Sequence, residues 1–572
     1  MKRWTALFLA AAMVMTLLAG CGGSNNGGNT SKDSKASVSQ DASENSGKTG
    51  DTSADTSEDS AAQVEIDEAT GFPLAANQGY PKDGGEISIW HVWSSNYLDS
   101  FDDVAIESEL EKLTGIKANW TTVDRGERNE KFGILISSGN LPDLIYAQTS
   151  EYPGGVSQAV EDGVFMDVTE FVDEYVPNYK ALIESDPEIK KAVTSDDGRL
   201  LCFYQLACTD KGLEAEKEFL GLCVRQDWLD DLGLDAPETI DDWHTMLTKF
   251  KEEKGAVAPL MIGPKGTLIN GAFTSAFGVM PEFYQDNGAV KFGPAEDGYK
   301  DFVETFRQWY AEGLIDQNFM TNNVERFPAH EYTTTGMTGA FTHAYSMVGH
   351  GMQSQGLVTD DKFELTAVAN PVLNAGDTPS ALPLSAGIVL DPLYVSAECK
   401  DPEALGAWLN YMYSKEGAMI QGFGIEGVHY NLDDSGKVVY TDEILNKEGY
   451  NVSDDYSLAV ANFRFGLSNW YGGMLYNGEE KLNEYFAIED IWTNQDMSKY
   501  ISSKITMTSD ESENYTTLYS DIQTFVDESI AQFIMGTKSM DEWDAFVEQL
   551  HTMGIDECIA MKQQALDRYN AR

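Results

Sequence analysis

From about residue 83 onward, short β-branched runs alternate with stretches whose apolar residues recur at helical spacing, and this alternation leaves few architectures open. Glu86 to Val92 reads as a strand, followed by a polar loop and a helical stretch over 102–113 that ends at Gly115. Glu130 to Ser138 reads as a helix closed by Gly139, and Leu141-Pro142-Asp143 then leads into the apolar run Leu144 to Ala147, the next strand of a parallel sheet. Helix starts further along carry their own caps: Thr239 with Asp242, Asp401 before Pro402, and Ser539 with Glu542. No period of 20 to 50 residues repeats, which excludes a solenoid. The predicted class is α/β. A chain of 572 residues, 42% apolar and 11% aromatic, is too long for one compact core, so two lobes are expected.

Lys and Arg total 39 against 93 for Asp and Glu, a formal charge of −54. Residues 22–70 hold only three Lys and ten acids, so the excess lies in the folded part. Such a surface repels a polyanion at long range, and nucleic acid is excluded as a partner.

The N-terminus sets the compartment. Lys2 and Arg3 precede an apolar run from Trp4 to Ala19 that is shorter than the roughly 20 residues a bilayer span needs, so 1–20 reads as a signal peptide. The run ends in Leu18-Ala19-Gly20-Cys21, which resembles the lipobox of bacterial lipoproteins; Cys21 would carry the lipid and become the mature N-terminus. Residues 21–80 are then a lipidated Cys followed by a tether rich in Ser, Gly and Asp, too poor in large apolar groups to offset ordering entropy. About 50 such residues span roughly 40 Å r.m.s., enough to let a folded part move over a membrane to which it is anchored. The five later cysteines, Cys202, Cys208, Cys223, Cys399 and Cys558, are odd in number and irregularly spaced, and read as buried free thiols.

Motifs of chemistry are missing from the chain. It has no Gly-x-Ser-x-Gly, no His-Glu-x-x-His and no phosphate loop of the form Gly-x-x-x-x-Gly-Lys-Ser or Thr, and its seven His show no ligand spacing. With 93 acids, any pair of carboxylates is uninformative about glycoside hydrolysis. The reading is of a protein without catalytic residues, metal ligands or cofactor. Asn431-Leu432-Asp433-Asp434-Ser435-Gly436 faintly suggests a calcium loop, lacks the terminal Glu, and reads better as a hairpin turn.

Several segments, in one order, are similar to a known family. Leu113-Thr114-Gly115-Ile116, Ser137-Ser138-Gly139-Asn140-Leu141-Pro142-Asp143-Leu144-Ile145 and Gly163-Val164-Phe165-Met166-Asp167-Val168-Thr169 resemble extracellular solute-binding proteins of sugar ABC transporters. Val224-Arg225-Gln226-Asp227-Trp228-Leu229 with Pro237 and Trp243, Leu409 to Gly417, Gly424-Ile425-Glu426-Gly427-Val428-His429-Tyr430 and Ala565 to Tyr569 resemble its long, LplA-like Gram-positive branch, with maltose-binding protein a distant relative. The resemblance spans about 83 to 572. It implies a periplasmic-binding-protein-like fold of two hinge-connected lobes with a ligand cleft between them. Approximate bounds are 81–205 plus 385–430 for lobe 1 and 206–384 plus 431–572 for lobe 2. It further implies a monomer on the extracellular face of the cell membrane that hands an oligosaccharide, or another small polar solute, to the permease subunits of an ABC importer.

Cleft residues are expected on loops at the carboxyl ends of strands. Trp93, Ser94 and Asn96 follow the first strand and offer one aromatic plate and short polar groups; Gln148 and Ser150 follow the strand Leu144 to Ala147. Arg225, Asp227 and Trp228 match a family element near a lobe crossing, where Arg225 either binds hydroxyls or pins the hinge. Thr342, His343 and Tyr345 lie where distant relatives place an aromatic contact; Glu426, His429 and Tyr430 belong to the Gly-Ile-Glu-Gly stretch, and Trp470 and Tyr471 precede two glycines. Open beside the importer reading are a secreted glycoside-active enzyme and a lipoprotein that binds peptide or serves sensing.

Overall fold

The computed structural model describes residues 65–66, 73–74 and 84–572, apart from 96, 148–151, 210–211, 215–216, 264–269, 322–329, 355, 385–386, 450–451 and 461–462. The signal peptide, Cys21 and most of the expected tether lie outside the described residues. Within that expected tether, Glu65–Ile66 and Pro73–Leu74 pair as a short antiparallel ladder.

The first sheet follows the alternating pattern. Strand Glu86–Val92 runs parallel to Lys117–Val123 and to Leu144–Tyr146, with Ile89 opposite Leu144. The intervening helices Ala105–Thr114 and Arg128–Ser138 stop at Gly115 and Gly139, whose φ of 67° and 64° are left-handed values that cost glycine little. Beyond Leu144–Tyr146 the sheet adds Val389–Val395, then Phe203–Thr209, then Leu467–Ser468. Val389–Val395 is antiparallel to both neighbours and Leu467–Ser468 is parallel to Phe203–Thr209. Apolar side chains cover both faces, with Ile89, Leu144, Phe203, Leu393 and Trp408 in one cluster and Trp90, Ile145, Phe165, Cys202 and Tyr394 in another.

The second lobe centres on strand Leu220–Arg225, flanked antiparallel by Ala340–Ala344 and Leu365–Val368. Helices Ile240–Lys254, which carries the expected Thr239–Asp242 capping box, and Asp297–Ala311 bury Trp243, Phe250, Phe302, Phe306 and Trp309. Helix Glu479–Thr493 crosses the other face so closely that a Cβ on Gly221 would sit 2.2 Å from the Trp492 ring, and the indole N–H donates to the Leu222 carbonyl at 3.2 Å. No side chain fits at 221. The C-terminal helices Ser509–Ile534, Trp543–Met553 and Ile555–Ala571 add Ile522, Phe546 and Cys558 to the same core.

The chain passes between lobes three times: after Phe203–Thr209, before Val389–Val395, and after Leu467–Ser468. The structure moves one expected boundary. Tyr440, Ile444, Tyr456, Phe463, Phe465 and Leu467, within the stretch expected in the second lobe, join the first lobe's core. Phe463 and Phe465 fill a nest made by Trp120, Phe101 and His91, and no composition change in the sequence marks that return. A further tie joins the lobes at the end of the chain. Asp196, in a loop of the first lobe, accepts from Arg568 Nε at 2.7 Å and from Arg572 Nη2 at 2.7 Å, both on the last helix and its end. Arg572 also donates to the Lys191 and Thr194 carbonyls.

Asp143 of the Leu-Pro-Asp segment shows what that motif does. Its Oδ2 accepts from the Ser88 amide at 2.8 Å and the Ser88 hydroxyl at 2.6 Å, and its Oδ1 accepts from the Lys400 amide at 2.9 Å. One carboxylate thus joins the first strand, the third strand and the chain returning from the second lobe. Burial acts to raise its pKa, but the Ser88 hydroxyl and the Lys400 and Ser88 amides outweigh it and hold the carboxyl below its ordinary 3.8. The folded-state value is the lower one, so the stabilisation is full above the ordinary value and lost as pH falls through the lowered one. Asp143→Asn is expected to cost about 1.5–3 kcal/mol at neutral pH in urea unfolding, with the gap to the native chain narrowing in acid.

Candidate functional site

The carboxyl ends of the first lobe's parallel strands all point toward the crossings. Strand Glu86–Val92 delivers His91 and then Trp93. His91 stacks on Tyr146 at 5.2 Å and meets Phe465 edge-on at 4.9 Å; burial first, then the charge of Arg125, lowers its pKa to about 3, so it is a neutral aromatic at pH 7. Trp93 is half-buried against Phe101 at 5.5 Å, and its indole N–H is buried with no acceptor among the described residues. Ser94 is exposed and donates to Asp124 at 3.0 Å. Tyr146 donates to Asp391 at 3.1 Å, which ties the third parallel strand to the crossing strand beside it.

Alongside these ends lies a cavity of about 560 Å³ walled by both lobes. The first lobe contributes Tyr152 to Ser157, Cys202, Tyr204, Pro392 and Tyr394. The second contributes Ser503 to Met507, then Ser512, Tyr515 and Thr516 from the long helix, and Lys562 from the last helix. Lys504 donates to the Leu390 carbonyl at 2.8 Å with its ammonium 4.7 Å from the Tyr204 ring centre. The volume falls within the several hundred Å³ common for small-ligand sites, and tyrosine rings with hydroxyl edges suit a guest with apolar ring faces and polar rims.

The other expected site residues scatter. Asn96, Gln148 and Ser150 lie outside the described residues. Thr342, His343 and Tyr345 fall at the crossing end of the second sheet, where His343 pairs with Gly221 and the Tyr345 amide donates to Phe219. All three are buried; the Tyr345 hydroxyl reaches Met474 Sδ at 3.0 Å and its ring lies 4.8 Å from Tyr485. Arg225, expected near a crossing, ends the same central strand on the opposite side, five residues of roughly 3.3 Å each from Leu220. Its fork donates to both Asp227 oxygens at 2.7 and 2.6 Å, and the guanidinium is sandwiched between Trp228 at 4.5 Å and Phe363 at 4.1 Å. Glu426 is exposed, while His429 is buried with Nδ1 accepting from the Ile425 amide at 2.9 Å; burial lowers its pKa. Tyr430 packs on Phe423. Trp470 and Tyr471 open a one-turn helix at the third crossing, and their side chains lie outside the described part.

Residues 93–419 match the family of bacterial extracellular solute-binding proteins, more than half of the chain. The chain belongs to this family. Among the relatives of this solute-binding protein, the fructooligosaccharide ABC transporter substrate-binding protein FusA of Streptococcus pneumoniae is 24% identical over 495 residues, covering 82% of this chain and 87% of the relative. The polygalacturonan/rhamnogalacturonan-binding protein YtcQ of Bacillus subtilis is 23% identical over 473 residues, covering 80% and 87%. Among solved structures, the alginate-binding protein AlgQ2 superposes with a TM-score of 0.63 at 25% identity, covering 85% of this chain and 99% of that one. The fold is accordingly the two-lobe α/β fold of these binding proteins.

Sequence reasoning missed Tyr146, Asp391, Tyr204 and Lys504. The first was in view, one residue before the loop nominated for binding; the others become neighbours only when strands distant in sequence pair. In the Gly424 turn, φ is +88° and a Cβ would meet His429 Nδ1 at 2.6 Å, so the Gly-Ile-Glu-Gly stretch is shaped by a buried imidazole. The calcium-like loop is a hairpin turn, with Asp433 accepting from the Ser435 and Lys437 amides between paired strands Tyr430–Leu432 and Val438–Tyr440. Among the described residues no cluster of three His, Cys, Asp or Glu is placed to hold a metal. Arg225→Lys loses both the fork and the flat stack, and is expected to cost about 1–3 kcal/mol in urea unfolding. Unchanged stability with lost ligand binding would instead put Arg225 on the ligand.

Proposed function

We propose that the chain is the membrane-anchored, extracellular binding component of an ABC importer. It holds an oligosaccharide between its lobes and delivers it unaltered to the permease. The cavity carries the reading: it is walled by both lobes and lined by four tyrosines and several hydroxyls, and no Asp or Glu is among its described lining residues. Hydrolysis of a glycosidic bond needs two carboxylates within about 10 Å of each other, astride that bond. A pocket built of rings and hydroxyls binds sugar without cutting it. FusA, a fructooligosaccharide ABC transporter substrate-binding protein, and YtcQ, a polygalacturonan/rhamnogalacturonan-binding protein, support the ligand class, and FusA the pairing with a permease. The lipobox-like segment ending at Cys21 supports the anchor, and the tether lets a monomeric receptor search the membrane around its permease.

Ligand contacts to both lobes stabilise the closed form over the open one. In scanning fluorimetry over a panel of oligosaccharides, the matching sugar is expected to raise stability by RT ln(1 + [L]/Kd), about 2.7 kcal/mol at a hundredfold excess over Kd, and to be recovered intact. Cleaved sugar, or no shift across the panel, would contradict the proposal.

A further inference from the structure

We infer that the guest of the interlobe cavity is an acidic oligosaccharide, whose carboxylate or sulfate sits between Lys504 and Lys562. This deepens the receptor reading and rests on it.

The chain holds 93 acids and 39 bases, yet the cavity's described wall carries two lysines and no acid. Elsewhere some lysines pair, Lys217 with Asp490, Lys254 with Asp231, Lys291 with Asp286 and Glu296, and Lys447 with Glu443, while others, such as Lys191, Lys499 and Lys538, lie over aromatic rings. Both cavity lysines are of the second kind. Neither has a carboxylate oxygen within 4 Å among the described residues, and the described wall between them holds no acid. Each is instead held by rings, Lys504 over Tyr204 and Lys562 at 5.0 Å from Tyr515 and 5.3 Å from Phe283.

Their hydrogen-bond capacity is unspent. Lys504 uses one donor on the Leu390 carbonyl, and Lys562 has no acceptor among the described residues, although each ammonium carries three N–H groups. Burial pulls both pKa values below the ordinary lysine value, against the opposing pull of Cys202 and Asp391 on Lys504 and of Glu282 and Cys558 on Lys562. A half-buried ammonium without a counter-ion is destabilising until an anion arrives. Both lysines come from the second lobe's part of the chain: Lys504 reaches across to the first lobe's Tyr204 and Leu390, and Lys562 lies on the second lobe's Phe283 and Tyr515. Tyrosine faces beside the pair supply the surface for the sugar ring that bears the charge.

The test uses the full chain and calorimetric titration with short galacturonate oligomers, sulfated galactose oligomers and neutral galactose oligomers of equal length. Either acidic series is expected to bind, and the one preferred identifies the anion. Binding should weaken at least about tenfold in Lys504→Gln and in Lys562→Gln and weaken with added salt, while Lys504→Arg, which keeps the charge, retains it. Melting of each variant without sugar separates lost binding from lost folding. Neutral oligomers bound as tightly as acidic ones, or Gln variants that bind acidic sugar like the native chain, would overturn the anion site and leave the receptor reading standing. Binding of no carbohydrate at all would overturn both.

Discussion

Strands Phe203–Thr209 and Val389–Val395 hydrogen-bond to each other in the middle of the first sheet and connect, in opposite chain directions, to the second lobe. That shared ladder is the constraint on which the rest depends. It makes the interlobe connection a small antiparallel ribbon, joined by the shorter strand Leu467–Ser468, instead of a loose linker. Domain closure around ligands works by a few residues at such crossings absorbing backbone rotation while packed lobes move as bodies. The ribbon also places Tyr204, Asp391 and Pro392 beside the carboxyl ends of the parallel strands, and Tyr204 and Pro392 border the cavity.

Much of the fold was legible because its signals are local. Gly115 and Gly139 stop their helices where the periodicity ends, and the Thr239–Asp242, Asp401 and Ser539–Glu542 caps bond as their spacing implies. The site was less legible because its determinants are pairings across long stretches of chain. Tyr146 and Asp391 are 245 residues apart in sequence and 3.1 Å apart in space. Arg225 illustrates a different loss: its motif was visible, but whether a strand's first or last residue faces the partner lobe depends on which end carries the crossing. The packing of Phe463 and Phe465 on the first lobe depends on an aromatic nest that no nearby residue announces.

Charge shows how an average misleads about a site. At −54 the chain repels anions at long range, which lowers encounter rates with acidic partners without deciding what binds once contact is made. At the cavity the local sign is reversed, with two lysines and no described acid in the wall. A short acidic sugar carries few charges and loses little to the distant field, which salt screens beyond about 10 Å, while the contact charges act at close range in a partly desolvated space. A long polyanion such as nucleic acid would meet the acidic exterior along its whole length.

On this reading the lobes close over an intact oligosaccharide. Small-angle X-ray scattering of the full chain, with and without a saturating sugar identified by titration, tests it most directly. The radius of gyration is expected to fall on saturation while the sugar is recovered uncut. Scattering curves that superpose with sugar demonstrably bound, or a hydrolysed product, would contradict it.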